Sequence, residues 1–336
     1  MKDQQDQSNT EIPSAGPWIS QLEIDYVTDA VENGWYSNWS GYIDKFEQEF
    51  AKYLGVKHAI STSSCTGALH IAAKALGLGP GDEVIAPEVT WIGSVAGPVH
   101  LGCDIVFADV ETDTWCLDPD AFRKAITPRT KAVIPVDMYG HPSAKNEILS
   151  IAQEHGIHVM EDSAPALGSK YNGQRCCSFG IVGTFSFQGA KPLVTGEGGM
   201  LVTNDDDVYD RCYYYWDHCR DTSKVLYNTD VGFKYKMSNI QAALGLAQLQ
   251  RADEIIGKRR QIFQWYQQRL GDIPGIQLNT EREVCYSNHY VPTIILNDSF
   301  PVTPQTLMQR MDAEGIRNRP FFRPLSKLPM FQEAHT

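Results

Sequence analysis

The sequence FGIVGTFSFQGAKPLVTGEGGMLVTN, residues 179–204, is the most informative segment of this chain. Its first half is rich in β-branched and aromatic side chains, which predicts a strand. A turn of small residues, Gly189 and Ala190, then presents Lys191, and Pro192 follows at once. Because proline lacks a backbone donor and disfavours helical backbone at the residue before it, we expect Lys191 on a fixed, non-helical segment.

The surroundings of Lys191 suggest a chemical role. Three glycines follow it and lead into a second apolar run, residues 200–203. A lysine held between apolar strands is partly desolvated, which lowers its pKa and frees its amine to attack carbonyl carbons. Taken alone, the same pattern also fits a solvated lysine at a loop tip.

A second residue, Asp162, favours the interpretation of Lys191 as a reactive amine. Residues 157–161 predict a buried strand, and Asp162 comes just past its carboxyl end, where α/β proteins place ligands. A helix N-cap is the other interpretation of this aspartate. Pyridoxal phosphate (PLP) requires both kinds of group: an amine that reacts with its aldehyde and a carboxylate that pairs with its cationic ring nitrogen.

Three further segments carry a resemblance to a known family. The chain is similar, from Pro17 to Phe331, to the DegT/DnrJ/StrS nucleotide-sugar aminotransferases, a branch of the PLP enzymes of fold type I. The similarity is densest at residues 161–173, 183–205 and 232–249. The tail, residues 315–331, most resembles the perosamine-synthase members, which aminate C4 of a GDP-linked 4-keto-6-deoxy sugar.

The resemblance implies an α/β fold like that of aspartate aminotransferase. We expect a large PLP-binding domain with a mostly parallel mixed sheet over residues 16–256, and a smaller C-terminal α/β domain over residues 257–336. Residues 1–15 are expected to be disordered. The chain stops at Thr336, short of the final helix of its relatives, so the small domain is expected to be trimmed or unusual.

The two central residues receive roles from the same resemblance. Lys191 would form the Schiff base with the cofactor and then act as the base that shuttles the proton of the amino donor. Asp162 would keep the ring nitrogen protonated. Some relatives carry histidine at the place of Lys191 and are dehydratases, so lysine favours amino transfer.

Other cofactor contacts are predicted on loops. The strand–turn–helix pattern around Cys65 and Thr66 presents free backbone donors to a phosphate, although Thr66 also fits an ordinary N-cap. Ser186 matches a family serine that binds the phosphate, and an inward strand serine is the alternative. Trp91 matches a family aromatic residue that lies against the cofactor ring. The alternative is that Trp91 is a residue of the hydrophobic core. Lys234 would reach the phosphate from the partner subunit.

Three positions depart from the family pattern. Cys65 replaces a glycine, Pro165 replaces a glutamine or histidine that contacts the phenolic oxygen, and Lys234 replaces an asparagine. A lysine still binds phosphate as a point charge. These changes keep open a degenerate relative that only binds cofactor or nucleotide-sugar for regulation. A PLP-dependent sugar dehydratase or lyase is a further alternative.

The implied partners are L-glutamate as donor and a nucleotide-linked keto-sugar as acceptor, in a homodimer with its active site at the interface. The product would be an amino-deoxysugar for a surface polysaccharide, such as O-antigen lipopolysaccharide, or a glycoside. Arg317, Arg319 and Arg323 could meet the diphosphate or the donor carboxylate, although exposed arginines are more often solvated.

Composition sets limits on the class of protein. The 336 residues are 42% hydrophobic, enough for a sizeable core, and carry a net charge of −12, which disfavours nucleic acid and anionic membranes. The polar N-terminus resembles neither a signal peptide nor an anchor. Eight cysteines without CxxC spacing suggest free thiols in the cytoplasm. His155 and His158 lack a metal-binding motif, so no metal is expected.

Overall fold

The structure is a computed structural model, and it describes residues 11–332. The segment expected to be disordered, residues 1–15, therefore lies largely outside the described residues. Within the described part, Ile12 pairs in parallel with Ile316. Its backbone N–H donates to Gly315 O over 2.9 Å, and its carbonyl accepts from Arg317 N over 2.9 Å.

Ten helices and twelve strands form in the described residues. The helices are α1 Gln21–Asn33, α2 Gly41–Leu54, α3 Cys65–Ala75, α4 Gly93–His100, α5 Pro119–Ala125, α6 Lys145–His155, α7 Asp206–Trp216, α8 Asn239–Gln250, α9 Ala252–Leu270 and α10 Pro304–Ala313. The strands are β1 His58–Thr62, β2 Glu83–Pro87, β3 Asp104–Ala108, β4 Thr130–Val133, β5 His158–Asp162, β6 Lys170–Tyr171, β7 Gln174–Arg175, β8 Val182–Ser186, β9 Gly199–Thr203, β10 Ile276–Leu278, β11 Cys285–Tyr286 and β12 Ile294–Leu296.

A seven-stranded sheet organises the molecule, in the order β1-β9-β8-β5-β4-β2-β3. The pairs from β8 to β3 are parallel, whereas β9 runs antiparallel to both β8 and β1. Its strands are almost wholly buried, because helices cover both faces of a parallel sheet. The predicted α/β fold with a mostly parallel mixed sheet is thereby confirmed.

Local capping signals set the ends of two helices. Helix α2 ends at Gly55, which adopts φ +78° and closes the helix with a left-handed cap. Helix α8 begins at Ser238, whose hydroxyl accepts from Gln241 N while the Gln241 side chain accepts in return from the Ser238 N–H, forming a capping box. These caps fix the register of two helices that pack against each other.

The C-terminal part contains little regular structure. Strands β10 and β12 form a two-stranded antiparallel sheet, and β11 joins β6 and β7 in a second small sheet. Helix α9 runs without a break through Gly257, so the expected domain boundary falls inside a helix. In residues 11–332, no helix combines the length and the apolar composition that crossing a bilayer requires.

Candidate active site

Lys191 stands on a tight, non-helical turn, as its flanking residues predicted. Its backbone N–H donates to Gln188 O over 2.8 Å, and the Ala190 N–H donates to Gln188 Oε1 over 2.9 Å. The turn joins β8 to the segment that leads into β9, and Pro192 continues it. The backbone that carries the amine is therefore fixed by two hydrogen bonds to Gln188.

The C-terminal part of the chain covers Lys191. The amine Nζ lies 5.0 Å from the centre of the Tyr290 ring. Arg259, on α9, donates from Nη2 to Lys191 O over 3.2 Å and from Nη1 to Tyr290 O over 3.0 Å. One guanidinium group thus ties the lysine to a segment that follows much later in the sequence.

Asp162 is the last residue of β5 rather than the first residue beyond it, because its pairing with β8 extends one position further than the apolar run suggested. Its side chain is buried. Ser94 Oγ donates to Oδ2 over 2.6 Å, and Ala164 N donates to Oδ1 over 3.0 Å. The strand order therefore presents a hydrogen-bonded carboxylate at the carboxyl edge of the sheet, as expected for a ligand site.

Burial shifts the titration of both groups. It raises the pKa of Asp162, against the donors Ser94 and Ala164 and the charge of Lys191, which lower it. Burial lowers the pKa of Lys191, against the charges of Asp162 and Cys65, which raise it. Desolvation prevails in both cases, so the lysine holds an uncharged, nucleophilic amine at a lower pH than an ordinary lysine does.

The start of α3 borders the same carboxylate. Ser64 caps the helix by accepting from Gly67 N over 3.0 Å. Cys65, the first helical residue, points its Sγ toward Asp162 Oδ1 at 3.8 Å and Thr184 Oγ1 at 3.4 Å. Burial raises the pKa of this thiol well above its usual value, so it stays protonated. The cysteine that departs from the family glycine is accommodated by pointing inward, toward the carboxylate.

Ser186 lies one strand away from the start of α3. It pairs with Gly199 across β8 and β9. A Cβ at Gly199 would lie 2.5 Å from Cys65 N, so this position must remain glycine for the strand to pack against the helix terminus. Ser186 is thus paired with the residue that packs against the start of α3, where a phosphate would meet free backbone N–H groups.

Thr66 and Trp91 meet at Gly93. A Cβ added there would lie 2.8 Å from Thr66 Oγ1 and 3.0 Å from Trp91 Cδ1. The Trp91 side chain is 64% exposed, so it is not a core residue. Its ring centre lies 6.3 Å from that of Phe322, which belongs to the C-terminal tail. The indole therefore forms part of the open wall of the site.

Lys234 lies on the loop between α7 and α8. Its side chain is exposed, and its backbone pairs with Asp217. The neighbours Phe233 and Tyr235 pack against His70 of α3, with ring centres 4.4 Å and 5.9 Å from the imidazole. The loop is therefore anchored while its lysine points outward.

The arginines of the tail are separated from one another. Arg317 is exposed and forms an ion pair with Glu11. Arg319 is exposed too, but its charge and that of Arg259 lower the pKa of Tyr290, which burial raises more strongly. Of the two arginines predicted to bind substrate, Arg319 is thus the one whose charge acts on Tyr290.

Sequence reasoning missed four residues of this region: Ser94, Arg259, Asn288 and Tyr290. Asn288 is buried and donates from Nδ2 to Pro165 O and to Leu167 O, each over 2.9 Å. The proline that departs from the family pattern is therefore held through its carbonyl. No motif marks these residues, since each one acts through contacts with distant segments.

A buried ion cluster lies directly behind the site. Lys145 is 2% exposed, and its Nζ lies 2.7 Å from both Asp137 Oδ1 and Glu161 Oε2. Glu161 also accepts from the backbone N–H groups of Phe179 and Gly180 over 2.8 Å and 2.7 Å. This cluster joins the ends of β4 and β5 to the loop before β8.

The residues present fit PLP by the chemistry of their donors. A nucleophilic amine and a buried carboxylate act on one another at the carboxyl edge of the sheet. A capped helix start and a strand serine lie beside them and suit a phosphate. A buried carboxyl whose pKa is raised would gain most from a cationic ring nitrogen, since an opposite charge stabilises the ionised form.

Comparison with known proteins gives a consistent result. The model of the DegT/DnrJ/EryC1/StrS aminotransferase family matches residues 17–336. A GDP-perosamine synthase of Caulobacter vibrioides is 38% identical over 327 residues, 97% of this chain and 88% of that protein. One of Vibrio cholerae is 38% identical over 321 residues, 96% and 87% of the two chains. A candidate sugar aminotransferase of Streptococcus pneumoniae, solved in its PLP form, has a TM-score of 0.90 at 26% identity, covering 96% of this chain and 88% of that one.

Proposed function

The chain belongs to the DegT/DnrJ/EryC1/StrS aminotransferase family, and from that premise we propose that it transfers the amino group of L-glutamate to C4 of a nucleotide-linked 4-keto-6-deoxy sugar. The chain is a PLP-dependent sugar aminotransferase. Three relatives named GDP-perosamine synthase, 36–38% identical over 96–97% of this chain, make a GDP-linked sugar the first candidate acceptor. The observation that carries the proposal is the position of the buried Asp162 carboxylate, which ends β5 at the carboxyl edge of the sheet and lies near enough to Lys191 for each charge to act on the pKa of the other group.

The cofactor, when bound, supplies an aldehyde carbon for the amine and a ring that accepts negative charge. Asp162 would hold the proton on the ring nitrogen, since its buried carboxylate favours a cationic neighbour. The N–H groups at Cys65 and Thr66 would bind the phosphate together with Ser186 Oγ. Trp91 would cover one face of the ring.

Lys191 would act twice. Its Nζ would serve as the nucleophile toward the aldehyde, because burial lowers its pKa and favours the uncharged amine. Once the amino donor has taken its place, the same Nζ would remove a proton from the α-carbon of the donor and later donate that proton again. It would therefore serve first as a base and then as an acid. The hydrogen-bonded turn at residues 188–191 would hold the backbone that carries this amine in one position during both steps.

We extend the proposal to a homodimer in which Lys234 completes the partner's phosphate site. The loop that carries Lys234 exposes three apolar side chains, Val225 at 92%, Leu226 at 97% and Val231 at 86%. Apolar side chains this exposed on one loop favour a protein contact. Sedimentation should show a dimer, and Leu226→Asp should shift it toward monomer with loss of activity, whereas Lys258→Asp on the exposed side of α9 should not.

A cytoplasmic location belongs to the same proposal. All eight cysteines are free and buried. Free thiols persist in a reducing compartment. Fractionation of the producing cells should recover the protein with the cytoplasmic enzymes, and recovery outside the cytoplasm would contradict this part.

The experiment that tests the reaction uses purified protein with PLP, ¹⁵N-labelled L-glutamate and a panel of GDP- and dTDP-linked 3-keto and 4-keto sugars. We expect ¹⁵N in one sugar product and an equal amount of 2-oxoglutarate, measured by mass spectrometry. Loss of a hydroxyl without gain of nitrogen would indicate a dehydratase instead. Bound cofactor without turnover on any donor or acceptor would indicate a relative that serves for regulation. Lys191→Arg is the control for chemistry that does not use the lysine.

A further inference from the structure

A pair of buried hydroxyl groups stands behind the Asp162 carboxylate. Ser94 Oγ lies 2.6 Å from Asp162 Oδ2, and Thr90 Oγ1 lies 3.1 Å from Ser94 Oγ. Thr90 and Ser94 are 4% and 2% exposed. The three side chains therefore form one chain of hydrogen bonds that is shielded from water.

The direction of these bonds follows from the charge of the carboxylate. An ionised carboxylate can only accept, so the Ser94 hydroxyl must donate its proton to Asp162. The Ser94 hydroxyl then has no second proton to donate, so in its hydrogen bond with Thr90 the Thr90 hydroxyl is the donor. Hydrogen bonds from O–H to a charged oxygen are short and roughly twice as strong as neutral ones, and the 2.6 Å distance fits that class.

The other groups around Asp162 do not replace Ser94. Ala164 N and the weakly donating thiol of Cys65 both reach Oδ1, at 3.0 Å and 3.8 Å. Within residues 11–332, Ser94 provides the one hydrogen bond to Oδ2. Lys191 favours the charged form from a distance, and Asp137 opposes it. Removal of the Ser94 hydroxyl would leave half of a buried carboxylate without a donor.

The place of Ser94 is set by how closely two helices approach. Ser94 is the second residue of α4, which packs against α3. A Cβ at Gly97 would lie 2.7 Å from the Cα of His70 on α3, so the two backbones touch there. Because α3 also carries Cys65, the same packing delivers two side chains to one carboxylate.

We propose that Ser94, oriented by Thr90, is a positioning residue that keeps the Asp162 carboxylate ionised and in one orientation toward the ring nitrogen of the cofactor. The inference rests on the proposed role of Asp162 in holding that nitrogen. It assigns to α4 a part in the reaction that none of the motifs near Lys191 predicts.

The test compares wild-type protein with Ser94→Ala, Ser94→Cys and Thr90→Val, each loaded with PLP that carries ¹⁵N in its ring. The ¹⁵N chemical shift reports whether the ring nitrogen is protonated, independently of turnover. In wild type we expect a protonated nitrogen at neutral pH. In Ser94→Ala the acid limb of the PLP affinity profile should move up by roughly one pH unit, a tenfold change in ionisation, because a donor to the charged form is lost. Ser94→Cys, a weaker donor, should fall between, and Thr90→Val should show a smaller shift.

Two controls separate the possible failures. Ser150→Ala, on the exposed face of α6, should behave as wild type. Asp162→Asn should lose the protonated nitrogen; if it does not, the assignment of Asp162 itself falls. If Asp162→Asn loses it while Ser94→Ala and Ser94→Cys both match wild type in spectrum and pH profile, the role of Ser94 is overturned and the proposed function stands. Thermal unfolding checks that each variant is folded. If Ser94→Ala does not fold, the comparison of Ser94→Cys with wild type tests the role of Ser94.

Discussion

The amine of Lys191 lies 5.0 Å from the centre of the Tyr290 ring, and a single guanidinium, that of Arg259, donates to the backbone carbonyls of both residues. Arg259 Nη2 also reaches Gly16 O at 3.5 Å. Three segments that are far apart in the sequence thus meet at one side chain. The turn that carries the lysine and the C-terminal part of the chain are held together as one unit.

Replacement of Arg259 by lysine should weaken this joint. Lysine keeps the charge but loses the planar fork that serves several carbonyls at once. Since a hydrogen bond from a charged group contributes about 1.5–3 kcal/mol, we expect Arg259→Lys to lower the free energy of unfolding by about 2–3 kcal/mol. Urea denaturation measures it, with Arg269→Lys at the exposed end of α9 as the control. Equal stability of the two variants would show that the fork is dispensable.

The amine of Lys191 should react with PLP in a way that depends on pH. A protonated amine is not nucleophilic, so the rate of adduct formation should rise with pH and level off below the ordinary lysine pKa of about 10.4, because burial lowers the pKa of Lys191. Borohydride should then fix the cofactor on the peptide that contains residue 191. Lys191→Arg should form no adduct there and lose turnover by about 10²–10⁴-fold or more. An adduct that persists in this variant, on any other peptide, would place the reactive amine elsewhere.

Lys145 should be essential to the fold, although it lies outside the site. Lys145→Met would leave Asp137 and Glu161 as uncompensated buried charges, which costs about 3–5 kcal/mol. The measured quantity is the urea midpoint of unfolding, and Lys131→Met, an exposed lysine on β4, is the matched control. Should Lys145→Met unfold with the wild-type midpoint, the buried ion cluster would not be a source of stability.

Glu47 should make stability fall as pH rises. Burial raises the pKa of Glu47 to about 7, with Asp44 adding to the effect, whereas donation from the N–H and hydroxyl of Ser61 and the charge of Lys236 lower it. The folded state therefore holds a proton that the unfolded state, with a pKa of about 4.3, has released, so stability is lost as pH rises from about 4.3 to 7.

Glu47→Gln keeps an acceptor for Ser61 and removes the titration. We expect it to abolish this part of the pH dependence and to gain up to about 3 kcal/mol above pH 7 relative to wild type. Urea unfolding at pH 5 and pH 8 measures both. Glu49→Gln, exposed on the same helix, should leave the wild-type pH dependence in place. If the pH dependence of stability persists in Glu47→Gln, it arises from groups other than Glu47.

The class of fold and the two central residues, Lys191 and Asp162, can be predicted from local sequence patterns. Lys191 was found because glycine, proline and β-branched residues shape their own backbone neighbours, and Asp162 because a short buried run ends beside it. These are local effects, so a single stretch of sequence contains all the information they need.

The distant groups that act on those two residues are visible in the folded structure and in no local pattern. Ser94 and Asp162 are 68 positions apart, and their contact depends on the order of strands and on the close packing of α4 against α3. Arg317 and Arg319 are neighbours in sequence, yet one pairs with Glu11 and the other acts on Tyr290. Such contacts arise from long-range packing, which maximises the burial of apolar surface over the whole chain, and no short motif records the outcome.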